Sequence, residues 1–526
     1  MKQITKLATG LAAALATVLA AGTPMAQTLR LGVNADAGSM DPQAQNIQTT
    51  LTLHSMVFDA LVTRERDLRL APGLATRWEL VNPTTWRFHL RPNVRFHGGE
   101  SFGADDVQFT IMRAKHASSQ FQVFAATIAE VRIVDDLTVD LVTSTPDALV
   151  PDKLTYLFMM DRGWSEQNNV REPQNLRTRQ ETHAALNANG TGPFILRRRE
   201  PDATTVLERN PNYWAPTSGN VQRVEWRPIS NDPTRVSALL SRELDLVIDV
   251  PTQDVARLQR DANLKVERTN EFRTIFFGFD LSNAQLRYGQ PGGGNPFRDR
   301  RVREAMYRAI DIEAIQRNVM RGLATPTGQT LAPGNVGHVP ALDQRLPFDQ
   351  EGARRLLREA GVPPGFAFTL DCPNDRYVND DQVCQAVTAM LNQVGFNVTL
   401  NLMPRARYFP KLWERDTSAY MMGFNSPFFD GMYALETMHM TRRDPEGIFN
   451  YSLYSNPELD VAIRAARDET DLAKRAQMMR DVYRRVTEEI IFVPMYHQVL
   501  VWAMRRNVDA TLRPDNWLEI RWVKVN

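Results

Sequence analysis

Residues 295–326, NPFRDRRVREAMYRAIDIEAIQRNVMRGLATP, contain the clearest fold signal of this chain. Apolar residues recur there every three or four positions and arginines fill the remaining face, which predicts two surface helices in series. Asp311 offers a carboxylate that would cap the second helix, and Gly322 would end it. The apolar stripe consists of Val302, Ala305, Met306, Ala309 and Ile310 in the first helix and of Ile312, Ile315, Val319 and Met320 in the second. We therefore expect a helix pair docked on a larger core.

Strand and helix patterns alternate on both sides of this stretch. Residues 223–250 predict a strand, a helix and a second strand, and residues 381–402 predict a helix followed by an alternating strand. Residues 491–496 and 499–503 predict two more strands near the end of the chain. Strands that alternate with helices are typical of the α/β class, so we expect this fold class.

The size and charge of the chain restrict its architecture and its partners. At 526 residues, and with roughly 100–200 residues per domain, the chain should hold about three domains. It carries 62 basic and 61 acidic side chains, which gives a net charge of +1. This balance argues against nucleic acid as a partner.

The N-terminus has the layout of a secretory signal peptide. Lys2 and Lys6 precede an apolar run over residues 7–21, and small residues follow up to Ala26. The run is too short and too rich in alanine to favour a membrane-spanning helix, so we expect cleavage after Ala26, with Gly22 as the alternative. No cysteine stands near either position to carry a lipid anchor. The sequence therefore predicts a mature protein that is free in a bacterial periplasm.

Cys372 and Cys384 are the two cysteines of the chain, and eleven residues separate them. Export would place both in an oxidising compartment, which favours a disulfide between them. Such a loop would contribute about 3 kcal/mol at most in the chain-entropy model. Two buried free thiols are the alternative, and a metal site is disfavoured because no histidine lies nearby.

The sequence shows no catalytic constellation. Its eight histidines are scattered singly, and it contains no nucleophile elbow, no Walker lysine and no dinucleotide-binding glycine pattern. The adjacent carboxylates Asp105-Asp106 and Asp380-Asp381 fit the first turns of helices, because neighbours on a helix do not face each other. We therefore expect a binding protein without a cofactor rather than an enzyme.

Four separate blocks carry motifs of one known family. Residues 70–107 read LAPGLATRWELVNPTTWRFHLRPNVRFHGGESFGADDV, residues 190–216 open with GTGPF and close with NPNYWAP, and the other blocks are residues 295–326 and 419–441. The chain thereby resembles the family 5 extracytoplasmic solute-binding proteins. That family includes the dipeptide, oligopeptide and nickel-chelate receptors of ABC importers.

The resemblance implies a two-lobed periplasmic binding protein fold of the cluster C type, with mixed sheets and an inserted α+β subdomain. Mapped onto this chain, the first lobe takes residues 27–60, 187–280 and 491–526. The inserted subdomain takes residues 61–186, and the second lobe takes residues 281–490. The two hinge crossings are expected near Asp280 and Ile491.

Residues 419–441, AYMMGFNSPFFDGMYALETMHMT, mix aromatic, amide and acidic side chains without a clean period, as a loop that lines a cleft would. The family resemblance places the ligand-reading segment here, usually as GW-x-x-DxxDP, with a first aspartate that grips a peptide ammonium group. In this chain Phe424 replaces the tryptophan and Pro427 stands at that aspartate. Asp430 follows and is a candidate partner for a ligand cation. The alternative is that Asp430 caps a helix that begins at Met432.

Further candidate ligand residues surround Asp430. Arg405 and Tyr408 could meet a carboxylate. His439, between two methionines, suggests soft metal binding, although methionines usually indicate core packing. The complete set of predicted ligand residues is Phe424, Asn425, Phe428, Asp430, Tyr433, Arg405 and Tyr408.

The sequence thus predicts the solute-binding component of an ABC importer, a monomer that delivers a small solute to an inner-membrane permease. The resemblance favours a short peptide or a modified amino acid as the solute. A metal chelate or an opine-type compound is the alternative within the family. A periplasmic hydrolase or holdase is the alternative from another class.

Overall fold

The computed structural model describes residues 27–178, 181–443 and 446–526. The predicted signal peptide, residues 1–26, lies outside the described residues. Over the described ranges, no helix combines the length and the apolar character that are needed to cross a membrane.

A central sheet of eleven strands runs through both halves of the chain, and smaller sheets accompany it. Its order is β15-β14-β16-β12-β17-β11-β1-β10-β9-β8, and β13 pairs with β17 beside this path. The strands are β1 (Thr28–Val33), β2 (Val62–Arg64), β3 (Leu70–Pro72), β4 (Ala75–Asn82), β5 (Thr85–Leu90), β6 (Ile128–Asp135), β7 (Thr138–Thr143), β8 (Phe194–Glu200), β9 (Thr204–Arg209), β10 (Arg223–Pro228), β11 (Leu246–Val247), β12 (Leu264–Phe279), β13 (Ala324–Pro326), β14 (Phe366–Pro373), β15 (Phe396–Met403), β16 (Ala419–Phe424), β17 (Phe492–Arg505), β18 (Val508–Asp509) and β19 (Lys524–Val525).

Helices connect the strands and pack against the sheets. The α-helices are α1 (Gln48–Val57), α2 (Ala104–Ala114), α3 (Gln122–Ala125), α4 (Val150–Lys153), α5 (Arg162–Gln167), α6 (His183–Leu186), α7 (Asp232–Leu240), α8 (Thr252–Gln259), α9 (Arg300–Ala309), α10 (Ile312–Ala314), α11 (Gln350–Glu359), α12 (Asp380–Gln393), α13 (Arg405–Trp413), α14 (Met432–Ala434), α15 (Pro457–Asp468) and α16 (Leu472–Glu488). Short 3-10 turns occupy Pro296–Arg298, Pro340–Asp343 and Ile520–Trp522, and π turns occupy Ile315–Val319 and Leu435–His439.

Two long antiparallel strands, β12 and β17, join the two halves of the central sheet. Their pairing runs from Leu264 opposite Arg505 to Gly278 opposite Phe492. On one side β17 pairs with β11 and the sheet continues through β1 and β10, which run parallel to each other. On the other side β12 pairs with β16, and β14 runs parallel to both β15 and β16. The predicted α/β fold with two lobes and mixed sheets is confirmed.

The pairing of β12 with β17 is irregular at two places, and the larger irregularity lies between Asn270 and Thr274. Asn270 lies opposite Val499 and Thr274 lies opposite His497, so residues 271–273 stand out of the ladder. A bulge of this kind bends a strand and increases its local twist. The predicted crossings at residues 280 and 491 adjoin the end of β12 and the start of β17, and the lobe boundaries stay a prediction.

The segment predicted as an inserted subdomain, residues 61–186, contains its own four-stranded sheet in the order β4-β5-β7-β6. All neighbouring strands in this sheet are antiparallel. Phe88 of β5 and Val139 of β7 are fully buried in one core cluster with Val107 and Ile111 of α2. Four strands and a covering helix form the α+β arrangement that burying one sheet face requires.

The first helix predicted within residues 295–326 is α9. The side chain of Asp299 caps it by accepting a hydrogen bond from the Arg301 backbone at 2.8 Å. The second predicted helix begins as the single turn α10, continues as a π turn to Val319, and ends at Gly322 as predicted, where the backbone takes a φ of +80°. Asp311 caps α10 as predicted. The apolar stripe is buried, as shown by Val302, Ala305, Met306, Ala309, Ile310, Ile312, Ile315 and Met320.

The predicted disulfide between Cys372 and Cys384 is confirmed. It joins the carboxyl end of β14 to the first turns of α12, and both cysteines are fully buried. The bridge therefore ties a helix to the strand end that borders the region between the two lobes.

Replacing both cysteines by alanine should lower the free energy of unfolding by up to about 3 kcal/mol, because the unfolded chain loses a covalent loop. Urea unfolding followed by circular dichroism measures this change. The oxidised and the reduced wild-type protein provide the matched comparison. Equal unfolding midpoints for all three samples would contradict the prediction.

A fully buried ion pair connects the loop after β1 to helix α2. The Nη1 and Nη2 atoms of Arg113 contact the two oxygens of Asp41 at 2.8 and 2.6 Å, and both side chains are 0% exposed. Arg113 also donates to the backbone carbonyls of Val170 and Glu172. Burial alone would raise the pKa of Asp41, but the Arg113 charge and its hydrogen bonds lower it below its ordinary value. The pair thus fixes the predicted subdomain on the first lobe.

Substituting Arg113 by methionine should cost about 3–5 kcal/mol of stability, because Asp41 would stay buried without a cation. The matched control is Arg132→Met, whose exposed pair with Glu130 should contribute about 1 kcal/mol or less. Urea unfolding of both variants tests the difference. Equal losses of stability in the two variants would show that the buried pair contributes no more than the exposed pair does.

Candidate ligand-binding site

The candidate cleft is the region where the carboxyl ends of two sets of parallel strands face each other. Val247 of β11 lies opposite Ala503, so the carboxyl end of β11 points towards the bulge in β12. Phe424 of β16 lies opposite Thr274, so the carboxyl end of β16 reaches the same bulge from the other side. β1 runs parallel to β11, and β14 runs parallel to β16. Open α/β sheets bind ligands outside the carboxyl ends of their strands, which makes this cleft the candidate site.

Three predicted ligand residues form an aromatic group at the end of β16. The Phe424 ring stacks on Tyr433 at a centroid distance of 5.9 Å, and Phe428 meets Tyr433 edge-on at 5.4 Å. Phe424 and Phe428 are largely buried, and Tyr433 is partly buried. The structure thus brings these side chains together as an apolar wall of the kind that lines small-molecule sites.

The predicted inserted subdomain contacts the segment that follows β16. The hydroxyl of Tyr156 donates a hydrogen bond to the carbonyl oxygen of Pro427 at 2.6 Å, and its ring meets Phe428 edge-on. The guanidinium carbon of Arg64 lies 4.1 Å from the centroid of the Phe429 ring. These contacts join the subdomain to the second half of the central sheet across the cleft.

The carboxylate of Asp430 is engaged by protein groups. Its two oxygens meet Nη2 and Nη1 of Arg475 at 3.0 and 2.5 Å, and both side chains are at most 5% exposed. Oδ1 also accepts a hydrogen bond from the backbone of Met432, the first residue of α14, at 2.8 Å. A ligand cation would have to displace Arg475 from a buried pair, which costs about 3–5 kcal/mol. We therefore leave Asp430 out of the candidate site.

The other predicted ligand residues differ in their positions. Asn425 directly follows β16, and its Oδ1 atom is buried without a hydrogen-bond partner among the described residues. Arg405 begins α13 at the carboxyl end of β15 and is exposed. Tyr408, in contrast, is fully buried, and its hydroxyl donates to the carbonyl of Met421. Arg405 is exposed and Asn425 is partly exposed, whereas Tyr408 belongs to the core because its side chain packs inward.

His439 lies in the core rather than in the cleft. Its ring meets the rings of Tyr483 and Phe492 edge-on at 6.2 and 5.4 Å, and burial lowers its pKa to about 3. Neither ring nitrogen has a hydrogen-bond partner in the described part of the chain. No group of three histidine, cysteine or acidic side chains stands in metal-binding geometry within residues 27–178, 181–443 and 446–526.

Arg376 is a cleft residue that the sequence analysis missed. It follows the carboxyl end of β14, and its guanidinium carbon lies 5.1 Å from the centroid of the Tyr377 ring. No described carboxylate forms an ion pair with it. Burial is the main cause that lowers the pKa of Arg376, and the positive charge of Arg273 lowers it further. The signal was present, because the alternating apolar residues 366–372 predict a strand and Asn-Asp-Arg-Tyr follows it directly.

The bulge in β12 carries an ion pair into the same region. Nη2 and Nε of Arg273 contact Oε1 of Glu271 at 3.0 and 3.2 Å, and Gln498 donates to Oε2 at 3.1 Å. Burial alone would lower the pKa of Arg273, but Glu271 raises it above its ordinary value. Both charges of this pair are thus compensated before any ligand arrives.

A cavity beside the cleft adjoins Phe429. Among its lining residues are Phe58, Asp59, Tyr156, Phe158, Trp214, Arg513 and Trp517. Asp59 accepts hydrogen bonds from Tyr213, Trp214 and Thr191 at 3.0, 2.8 and 3.0 Å. Its carboxylate therefore holds the NPNYW motif in place.

Solved structures of binding proteins share this fold. HbpA2 from Haemophilus parasuis aligns with a TM-score of 0.80 and 20% identity over 95% of this chain and 100% of that one. The dipeptide binding protein from Pseudoalteromonas sp. SM9913, in complex with Met-Leu, aligns with a TM-score of 0.75 and 21% identity over 95% and 100% of the two chains.

Relatives are also found at the level of sequence. The glutathione-binding protein GsiB of Pectobacterium atrosepticum is 23% identical over 488 residues, which cover 91% of this chain and 90% of GsiB. The model of the bacterial extracellular solute-binding proteins, family 5, matches residues 69–444. This match spans most of the predicted subdomain, the bulge of β12 and the strands β11, β14 and β16. The chain therefore belongs to the family 5 bacterial extracellular solute-binding proteins.

Proposed function

We propose that this protein is the solute-binding component of an ABC importer and that it captures a small peptide-like solute in the cleft. The observation that carries this proposal is the unpaired guanidinium of Arg376 at the carboxyl end of β14. A guanidinium that is partly removed from water and lacks a counterion is unfavourable, so the site favours a ligand that brings an anion. A carboxylate fits best because its two oxygens match the fork of N–H donors.

The remaining groups of the cleft suit the rest of such a solute. Phe424, Phe428 and Tyr433 offer an apolar wall, and the buried Oδ1 of Asn425 lacks a donor that a ligand amide would supply. Arg405 lies two residues after the end of the neighbouring strand β15. The last residue of β15, Met403, lies opposite Pro373 of β14. Arg405 therefore adds positive charge on the side of Arg376.

Closure of the cleft is the proposed mechanical step. The crossing pair of β12 and β17 would bend at the bulge, and the two lobes would then enclose the solute. The hydrogen bond from Tyr156 to Pro427 and the contact of Arg64 with Phe429 already join the two sides of the cleft in this structure, and opening would break them.

The predicted setting of the protein follows from this role. Removal of the signal peptide, residues 1–26, would release a periplasmic monomer without a lipid anchor, and the loaded closed form would dock on an inner-membrane permease. Binding and release, without catalysis, are the whole of the proposed activity. The relatives found by sequence and structure carry names of binding proteins, which supports this.

Native mass spectrometry of protein purified from the periplasm, without a denaturing step, tests the proposal. We expect a single small organic solute that is bound one to one and is released when the protein is denatured. Protein stripped of solute should take it up again from a low-molecular-weight extract of growth medium. A chain that carries no solute and takes up none would overturn the proposed function.

Arg376→Gln should reduce binding of free peptides about tenfold or more, because a charge-assisted hydrogen bond contributes about 1.5–3 kcal/mol. Equilibrium dialysis against a mixture of di-, tri- and tetrapeptides, with the retained peptides counted by mass spectrometry, measures this loss. Arg358→Gln on the exposed side of α11 is the matched control and should bind as the wild type does. Equal retention by the two variants would remove Arg376 from the site.

Tyr156→Phe should weaken solute affinity by about two- to tenfold, because the closed form loses one hydrogen bond of about 0.5–1.5 kcal/mol. Small-angle X-ray scattering of the solute-loaded variant should show a larger radius of gyration than that of the loaded wild type. The control is Tyr454→Phe, which removes a hydroxyl bonded to Asn456 away from the cleft. The closure model fails if Tyr156→Phe leaves both affinity and radius unchanged.

A further inference from the structure

Asp249 is an acidic residue that stands at the cleft directly after β11. Its backbone takes a φ of +55°, which few residues other than glycine, asparagine and aspartate adopt easily. Its Oδ1 atom accepts a hydrogen bond from Nδ2 of Asn516 at 2.9 Å. Oδ2 accepts no hydrogen bond from the residues that the structure describes. One oxygen of a largely buried carboxylate is thus left for another donor.

The cations near Asp249 are committed to other groups. Arg235 donates to Oδ1 of Asp232 and to the carbonyl of Ile229, both at 2.6 Å, and it reaches only the backbone carbonyl of Asp249, at 3.4 Å. Arg273 is held by Glu271. Burial therefore raises the pKa of Asp249, and the negative charge of Glu271 adds to this effect. A buried carboxylate in this state is stabilised when a cation is added beside it.

Asp249 and Arg376 carry charges of opposite sign on opposite sides of the cleft, and neither forms an ion pair with another residue that the structure describes. Asp249 follows a strand of the half-sheet that contains β1 and β10, whereas Arg376 follows a strand of the half-sheet that contains β15 and β16. Arg273, in the bulge between the half-sheets, exerts its field on both. The cleft therefore carries a carboxylate, that of Asp249, on one side and a guanidinium, that of Arg376, on the other.

We propose that Asp249 anchors a cationic group of the solute, so that the solute lies with its ammonium towards Asp249 and its carboxylate towards Arg376. This inference rests on the proposed function and names the solute class as an amino-acid-like or peptide-like zwitterion. It also assigns the recognition of the ammonium to a residue in the first half-sheet, while Asp430 stays paired with Arg475. Both missing counterions then come from one ligand.

Equilibrium dialysis with three forms of one peptide mixture tests this assignment. The forms are free di-, tri- and tetrapeptides, the same peptides acetylated at the amino end, and the same peptides amidated at the carboxyl end. We expect the wild type to retain the free form about tenfold or more above either modified form. Asp249→Asn should lower retention of the free form to the level of the acetylated form, without changing retention of the acetylated form.

The choice of asparagine keeps the variant foldable, because asparagine also tolerates a positive φ and has the same shape. Asp202→Asn is the matched control, since Asp202 has a φ of +58° and is exposed in the turn between β8 and β9. It should behave as the wild type does. A melting temperature measured for each variant separates lost binding from lost folding.

Each outcome decides between the two proposals. If acetylated peptides bind the wild type as well as free ones do, or if Asp249→Asn weakens all forms equally, the role of Asp249 is overturned while the proposed function stands. If no form is retained by the wild type, a peptide-like solute is excluded and both proposals fail. Selective loss of the free form in Asp249→Asn alone supports the inference.

Discussion

The antiparallel pairing of β12 with β17 is the interaction on which the rest of the structure depends. Within the described residues, the path of the central sheet passes from one half to the other through this pair. The ladder holds the two halves at a fixed register on either side of Asn270 and Thr274, and the three residues between them stand outside it. Because both sets of parallel strands end at this irregularity, the larger of the two breaks in the pairing of these strands faces the cleft. The position of the site is thus a consequence of where the ladder is interrupted.

Buried charges in this molecule fall into two groups with different consequences. Asp41 with Arg113 and Asp430 with Arg475 are bidentate pairs whose partners come from distant parts of the chain. Such pairs need no ligand and hold segments in place. Asp249 and Arg376 are only partly buried, and neither forms an ion pair with another described residue. This contrast separates structural charges from candidate binding charges more clearly than position in the sequence does.

Features that rest on local periodicity could be predicted from the sequence, and features that rest on partners could not. The stripe of α9 and the cap of Asp311 follow from spacing alone, and the structure contains both. The second helix changes from an α turn to a π turn after Ala314, and no apolar stripe reveals this change in backbone hydrogen bonding. Asp430 looked available for a ligand because its partner Arg475 lies 45 positions away. Arg376 could have been noted after a predicted strand, but its lack of an ion-pair partner among the described residues becomes visible only in three dimensions.

The polarity of the cleft links solute binding to closure. In an open cleft, water can solvate both Asp249 and Arg376, so neither charge is costly. Closure removes that water, and the free energy of the closed form then depends on whether each charge meets a counterion. A solute with one charged end would leave the opposite side buried and unpaired, which favours the open form. A zwitterion satisfies both sides at once, and its differential affinity for the closed form is what would shift the population. Discrimination would then arise from the cost of closing on the wrong solute as much as from contacts with the right one.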